Sequence, residues 1–379
     1  MKIAVLGAGL MGRGAVWDLA RADDVTHVGI FDIDEQAARE VAENFGNRLA
    51  VAARLDVDNE DDVATALDGY DAAMSCVTYK YNPGITRSAI RAGCHLVDLG
   101  GNNDVVKAQL EMDEQAERAD VIVIPDCGLA PGLVAVLAAD GLSKFDRVDS
   151  IRIRVGGLPQ SPRPPLNYQM VFSAEGLVNE YWEPVVVLED GEKKTVNPMT
   201  GLELLEFDGI GKLEAFYTSG GTSTLPDTLR GKLKNLDYKT IRYPGHCQQF
   251  RPMLEIGLAA RKPVKIRGQE VEPREVFKAV LERNLSFSGP DMVLVRLVFE
   301  GERAGEGKIL VYEIVDRQDA QSNLTSMMRM TSIPAAIVAW MAASGKITAR
   351  GVKPQELVVD PPFFLQQLKK RSIRLTIKE

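Results

Sequence analysis

Residues 5–12 read "VLGAGLMG", and three of those eight positions are glycines in GxGxxG register, Gly7, Gly9 and Gly12. The stretch closes an apolar run, "KIAVLG", and opens a helix-compatible one, "RGAVWDLARA". Glycines so placed permit a tight strand-to-helix turn. They also let the backbone N–H groups of Leu10 and Met11 approach a pyrophosphate at the helix N-terminus. The pattern alone is weak, but Asp32 ends the next apolar run, 20 residues after Gly12. A carboxylate there accepts hydrogen bonds from the adenosine ribose and repels a 2′-phosphate, so NAD is the expected cofactor. Arg13 is the nearby guanidinium that would instead accommodate a 2′-phosphate, or it is a surface residue.

Outward from this motif, residues 1–127 alternate six apolar runs with longer helical segments. The runs are "KIAVLG", "HVGIFD", "LAVAARLD", "DAAMSCV", "CHLVDLG" and "DVIVIPDC". Uninterrupted apolar runs of this length are strands buried on both faces, which a parallel sheet covered by helices requires. The expected fold is α/β, a Rossmann-type doubly wound parallel sheet. Ligands of such sheets lie beyond the carboxyl ends of the strands. Asp56 and Val57 are therefore placed to border the adenine, and Cys76 and Val77 to line the cofactor's path or simply to pack the core.

After "PDCGLAPG" the pattern changes. A helix, "LVAVLAADGLSKF", leads into β-rich sequence with hairpin signals at Asp190-Gly191 and in "EGERAGEG". Residues 128–330 are expected to form an inserted α+β substrate and dimerisation domain. Residues 331–379 then return to complete the first domain. Thr331 or Ser332 would cap their helix, Pro334 would sit in its first turn, and Gly345 would end it.

Of 379 residues 45% are hydrophobic and 26% charged, an ordinary globular balance. The net charge of −8 is uneven: residues 1–127 carry 23 acidic and 11 basic side chains, a net of −12, and the remainder carries +4. An acidic half argues against nucleic acid as a partner. No apolar run is long enough to span a bilayer, and the N-terminal run is broken by glycines in the manner of a strand and not a signal peptide. Four cysteines lack metal-ligand or redox spacing, so neither a metal site nor disulfides are expected, and a cytoplasmic location is.

In residues 238–246, "YKTIRYPGH", two tyrosines, a lysine, an arginine and a histidine crowd together. As a strand, period two sets Tyr238, Thr240 and Arg242 on one face and Lys239, Ile241 and Tyr243 on the other. Arg242 and Lys239 then cannot serve one pocket, and Lys239 is left as a solvated or interface residue. "PG" turns the chain and presents His246, whose near-neutral pKa suits proton transfer, or which is a hydrogen-bonded structural histidine.

With "VLGAGLMG", "DLGG", "PDCGLAPG", "LEAFYTSGGTSTL" and "YKTIRYPGH" in this order, the chain resembles the saccharopine dehydrogenase-like family. Within it, the chain is most similar to the NAD-dependent L-lysine 6-dehydrogenases. The resemblance implies oxidative deamination of the lysine ε-amine to the 6-oxo amino acid, with release of ammonia and NADH, the aldehyde then cyclising with its own α-amine. It also implies a homodimer or higher homo-oligomer acting on a small amino acid. Arg242 matches the family's arginine for the substrate carboxylate, a task suited to a guanidinium. Tyr243 is a further candidate substrate contact. His246 and Tyr79 are the candidate catalytic residues, Tyr79 because it follows the fourth strand, where nicotinamide lies. Asp98 pairs with the α-ammonium or caps a helix. Thr218 and Thr222 belong to a loop that either holds a carboxylate or is merely flexible, and Glu214 is a candidate for the cationic end. A saccharopine or carboxynorspermidine type reductase, and a non-catalytic NAD-binding scaffold, are the alternatives.

Overall fold

The computed structural model describes residues 1–318 and 322–379. They form two units. One comprises Met1–Ser143, Ser223–Leu225 and Met328–Ile373; the other comprises Lys144–Thr222, Pro226–Met327 and Arg374–Glu379.

The first unit is built on seven parallel strands. Six are β1 (Lys2–Leu6), β2 (His27–Asp32), β3 (Ala50–Arg54), β4 (Ala72–Ser75), β5 (His95–Asp98) and β6 (Ile122–Ile124). The seventh is a two-residue strand, Gly351–Val352, giving the order seventh-β6-β5-β4-β1-β2-β3. Ile3–Leu6, Ala72–Met74 and Ile122–Ile124 are fully buried, which is why these runs show no polar alternation. Strand order reverses at β1, between β2 and β4, so a crevice opens at the carboxyl ends of these strands.

The second unit holds a nine-stranded sheet. Its strands include β7 (Arg147–Pro159), β8 (Val185–Glu189), β9 (Glu192–Val196), β10 (Glu203–Phe207), β11 (Gly211–Tyr217) and β12 (Asn235–Arg242). The path runs β10-β11-β12-β7, continues through the hairpin Asp291–Arg303/Glu306–Arg317, and ends on Thr376–Lys378. β8 pairs with β12 and β9. Only β12 and β7 run parallel here among the described strands. Both hairpin signals form two-residue turns with positive φ, at Asp190-Gly191 (53° and 83°) and Ala304-Gly305 (55° and 79°), matching the strand twist. One sheet face packs a cluster containing Tyr168, Leu177, Tyr181, Phe216, Phe250 and Phe277. The other carries Leu158, Phe207, Leu213, Ala215 and Ile241.

Three boundaries differ from the sequence expectation. The first unit runs past residue 127, through the helix Val134–Leu142, because that helix is apolar on nearly every side and buried. The late helix begins at Ser326 and not beside Thr331 or Ser332: its first N–H groups, on Ser326 and Met327, donate to the Asp291 carboxylate at 2.6 and 2.8 Å. Pro334 consequently lies inside the helix. A cap supplied from 35 residues upstream leaves no local signature. Residues 374–379 belong to the second unit, where Thr376–Lys378 extends the sheet.

Candidate functional site

At the carboxyl edge of β1 the three glycines divide their tasks. Gly7 adopts φ +106° and donates its N–H to Phe31 O at 2.7 Å. A Cβ on Gly12 would lie 1.9 Å from Gly7 O, so the helix can approach the turn only without a side chain there. A Cβ on Gly9 would meet nothing within 4 Å. The second glycine therefore borders open space, as a backbone that must approach a pyrophosphate does. Gly9 is also the N-cap of the helix Leu10–Leu19, which has no side-chain cap and no acidic residue in its first turn. Its N-terminal dipole and the N–H groups of Leu10 and Met11 suit an anion.

The neighbouring strand ends complete a cradle. Asp32 accepts from Ala8 N at 2.7 Å and Asp34 N at 2.9 Å, which holds its carboxylate beside the glycine turn. Asp56 accepts from Asp58 N with its side chain and from Asn59 N with its carbonyl, organising the turn that carries Val57. Cys76 N donates to Leu6 O at 2.7 Å, and Val77 lies against Gly7. Burial pushes the Cys76 thiol far up, so it is no nucleophile at neutral pH. All ten residues expected at the cofactor thus stand along one edge of the sheet, and their geometry fits a dinucleotide.

Beyond β5 and β6 the expectation for Asp98 fails. Asp98 is fully buried and accepts from Gly100 N (2.8 Å), Asp126 N (3.0 Å) and Gln109 Nε2 (2.7 Å). With both oxygens engaged it neither pairs with a ligand nor caps a helix; Asn102 caps the helix that follows. Its neighbour Asp126 is pushed up to about 8 by burial and by the Asp98 carboxylate, so it is largely protonated at neutral pH. Tyr79 occupies a short 3₁₀ turn after β4, part-buried against Gly101.

In the second unit, period two holds for β12, but both of its faces are buried. Lys239, expected in solvent, is 7% exposed because it pairs with Glu203 at 2.6 Å and lies over the Tyr217 ring. Tyr243 turns away from Arg242: its hydroxyl donates to Pro159 O at 2.8 Å, across the opposite sheet face. It is therefore removed from the Arg242 pocket.

Arg242 is 3% exposed. Nε donates to Tyr181 Oη at 2.7 Å and Nη1 to Ile241 O at 2.9 Å. The guanidinium carbon lies 4.8 Å from the Tyr168 ring centre and 5.6 Å from that of Tyr181. Among the described residues no carboxylate comes within 4 Å of it. A guanidinium is always charged, and a buried charge with no ion-pair partner is costly, so an anion placed at its remaining edge would stabilise it. Nη2 and the second hydrogen of Nη1 form the edge that a carboxylate can bridge.

His246 does not meet the expectation of a proton-transfer group. It is 2% exposed and sandwiched between Phe216 and Phe250. Nδ1 lies 3.0 Å from Leu166 O, a pure acceptor, so it carries the hydrogen. Nε2 then accepts from Tyr181 Oη at 3.1 Å. Tyr181 Oη in turn accepts from Arg242 Nε. The chain of bonds leaves no ring nitrogen free, and burial followed by the Arg242 charge lowers His246 to about 3. The histidine is neutral and positions the arginine through Tyr181.

Glu214 also departs from expectation. Its oxygens accept from Gly245 N and Cys247 N, both at 2.7 Å, so it caps the helix His246–Glu255 and does not face a cation. Thr218 (1% exposed) and Thr222 (8%) are buried in the loop after β11, and among the described residues Thr218 Oγ1 has no hydrogen-bond partner. That loop is tied to the helix Ala174–Trp182 through Ser219 N to Glu180 O at 2.9 Å. Gly221 lies on the Tyr238 ring, where a Cβ would come within 2.5 Å.

Sequence reasoning passed over Tyr168, Glu180 and Tyr181. Ser173 caps their helix by accepting from Gly176 N, and Leu177, Val178 and Tyr181 recur at helical spacing behind it. That cap and spacing were the available signal for Glu180 and Tyr181.

Two family models match the chain in sequence order. The saccharopine dehydrogenase NADP binding domain covers residues 3–124, and the saccharopine dehydrogenase C-terminal domain covers residues 128–373. The chain belongs to the saccharopine dehydrogenase family. The first unit is its nicotinamide-dinucleotide-binding part.

Among curated members of this family, the mitochondrial alpha-aminoadipic semialdehyde synthase of Rattus norvegicus is 23% identical over 285 residues, 72% of this chain and 30% of that protein. The NADP(+), L-glutamate-forming saccharopine dehydrogenase of Saccharomyces cerevisiae is 24% identical over 289 residues, 74% of this chain and 63% of that protein. The chain thus spans less than two thirds of the length of these relatives. A solved structure of apo saccharopine dehydrogenase (L-Glu forming) from Saccharomyces cerevisiae shares the fold. Its TM-score is 0.81 at 19% identity, over 100% of this chain and 99% of that one. Among the described residues, no helix is long and apolar enough to cross a membrane.

Proposed function

We propose that this family member is an NAD-dependent oxidoreductase that deaminates the ε-amine of L-lysine. The observation that carries the reading is Arg242, a buried guanidinium with no carboxylate in ion-pair range among the described residues, held by Tyr181 and Ile241 with one edge left over. Such an edge suits the carboxylate of an amino-acid substrate. The cradle at β1 suits the dinucleotide, and a bound nicotinamide supplies the hydride acceptor.

The balance of the reaction sets what the protein must do. The C–H bond beside the ε-nitrogen breaks with its electron pair leaving as hydride, and a C=N bond forms. Water then adds to the imine, and ammonia departs, leaving the aldehyde. An ammonium cannot form that double bond, so the amine must first lose a proton. At neutral pH this costs roughly 4–5 kcal/mol for a group of pKa ~10.4. His246 is unsuited to receive that proton, since both ring nitrogens are occupied. Tyr79 keeps its place as a candidate by its position after β4.

NAD is favoured over NADP by Asp32, whose carboxylate is fixed beside the glycine turn where a 2′-phosphate would be repelled. A saccharopine-forming or saccharopine-cleaving reductase is the second reading, and the names of the relatives favour it. Cofactor reduction should be measured with L-lysine, L-ornithine and L-saccharopine, each with NAD and NADP. Turnover of lysine with NAD alone is expected. Turnover confined to saccharopine, or a requirement for glutamate in the reverse direction, would replace the first reading by the second. The absence of any pyridine-nucleotide binding would remove both.

A further inference from the structure

Glu180 lies one residue before the tyrosine that holds Arg242, near the end of the helix Ala174–Trp182. It is only part-buried. Among the described residues, its carboxylate makes no hydrogen bond and no ion pair within 4 Å. Its charge is nevertheless felt by Arg242, Tyr168, Tyr181 and Tyr238 together. The helix that carries it packs on the face of β12 that bears Arg242, since the next residue, Tyr181, accepts from Arg242 Nε at 2.7 Å, and Glu180 O accepts from Ser219 N at 2.9 Å. Burial pushes it up to about 7 against the pull of Arg242, so a further cation would readily ionise it.

The juxtaposition is unusual for a purely structural pair. Opposite charges lining one pocket normally close to contact, since separated charges forgo most of the Coulomb gain that offsets their desolvation. Here the guanidinium is anchored by Tyr181 and Ile241, the carboxylate is carried on a helix, and the two do not meet. Among the described residues, Thr218 Oγ1 and Tyr168 Oη are also buried without hydrogen-bond partners. A ligand with a carboxylate and an ammonium on the same carbon would satisfy both charges at once.

We propose that Glu180 and Arg242 together read the zwitterionic head of a free α-amino acid, Arg242 taking the α-carboxylate and Glu180 the α-ammonium. The assignment rests on the amino-acid reading given above and extends it. It names the group that distinguishes an α-amino acid from a simple alkylamine carrying a carboxylate, and leaves the reacting end of the substrate free to lie elsewhere.

The test compares L-lysine with 6-aminohexanoate, which keeps the carboxylate and the reacting amine but lacks the α-ammonium. Steady-state cofactor reduction is measured for the wild type, Glu180→Gln and Glu180→Asp in the full-length chain. Glu180→Gln should lower kcat/KM for lysine about ten- to hundredfold, through KM, and shift that for 6-aminohexanoate by less than about threefold. Glu180→Asp should recover part of the loss, and dinucleotide affinity should stay unchanged in both variants. Equal losses on both substrates, or no loss on lysine, would overturn the proposal. If Glu180→Gln does not fold, Glu180→Asp decides by the same criterion.

Calorimetric titration of the same proteins with L-norleucine and with hexanoate separates this proposal from the reading beneath it, because neither titration requires turnover. A Glu180-dependent preference for norleucine without any lysine oxidation would retain Glu180 and discard the lysine reaction. Lysine oxidation with no such preference would do the reverse. Failure of norleucine to bind the wild type would also overturn the head-group assignment.

Discussion

On the proposed reading a single side chain, Arg242, separates the demands of folding from those of binding. Its charge is buried without an ion-pair partner among the described residues, so replacing it by an apolar isostere removes a desolvation penalty. Arg242→Met should melt at or above the wild-type temperature, while the KM for the amino-acid substrate rises about thirtyfold or more and dinucleotide affinity is unchanged. A fall in melting temperature with an unaltered KM would make the arginine structural. His246 offers a second prediction. Its folded pKa of about 3 lies below its unfolded value of 6.5, so the unfolded chain binds the extra proton. The stability it contributes is present above pH 6.5 and is lost as pH falls toward 3. The slope is about 1.4 kcal/mol per pH unit. Urea unfolding between pH 6.5 and 4.5 should show that slope reduced in His246→Asn relative to the wild type. Arg242 and His246 were legible as residues of interest from their composition and spacing. Their division of labour was not, because it depends on Tyr181 and Leu166, 61 and 80 residues away in the chain.

Secondary-structure elements were legible wherever their signal was local. The six apolar runs of the first unit, the two glycine-bearing hairpins and the helix Pro273–Leu285 all announce themselves within a dozen residues. What escaped were elements set by distant partners: the two-residue strand at Gly351, and the helix His246–Glu255, whose cap is a carboxylate on β11. That cap is open to test. Glu214→Gln keeps the shape but weakens the charge-assisted bonds to Gly245 and Cys247, and should lower stability by about 1–2 kcal/mol in thermal or urea denaturation. In the glycine turn, Gly12→Ala would press a methyl group against Gly7 O. It should reduce dinucleotide affinity at least about tenfold, whereas Gly9→Ala, whose added methyl group meets nothing within 4 Å, should harm binding and leave melting nearly unchanged. Equal losses of stability in the two variants would contradict this division.

At the scale of the whole molecule, the sequence distinguished an α/β part from a β-rich part, with seams at 127 and 330 where the contact-defined units divide at 143 and 327. A chain that leaves a unit, returns at Ser223–Leu225 and again at Met328 is joined by contacts that no local window contains. Two predictions belong at this scale. Asp32→Ser should raise NADP use relative to NAD at least about tenfold, since it removes the carboxylate that would oppose a 2′-phosphate. Lysine turnover should climb with pH well above neutrality as the ε-ammonium gives up its proton; a flat profile from pH 7 to 10 with chemistry rate-limiting would exclude that requirement. The anchoring of Arg242 has one more consequence. Every group that fixes it, Tyr181, Ile241 and, through Tyr181, His246, belongs to the second unit, so on the proposed reading the receptor for the acid end exists before any nucleotide arrives. The amino acid should bind the nucleotide-free protein with measurable affinity, and initial-rate patterns should show neither substrate obliged to enter first.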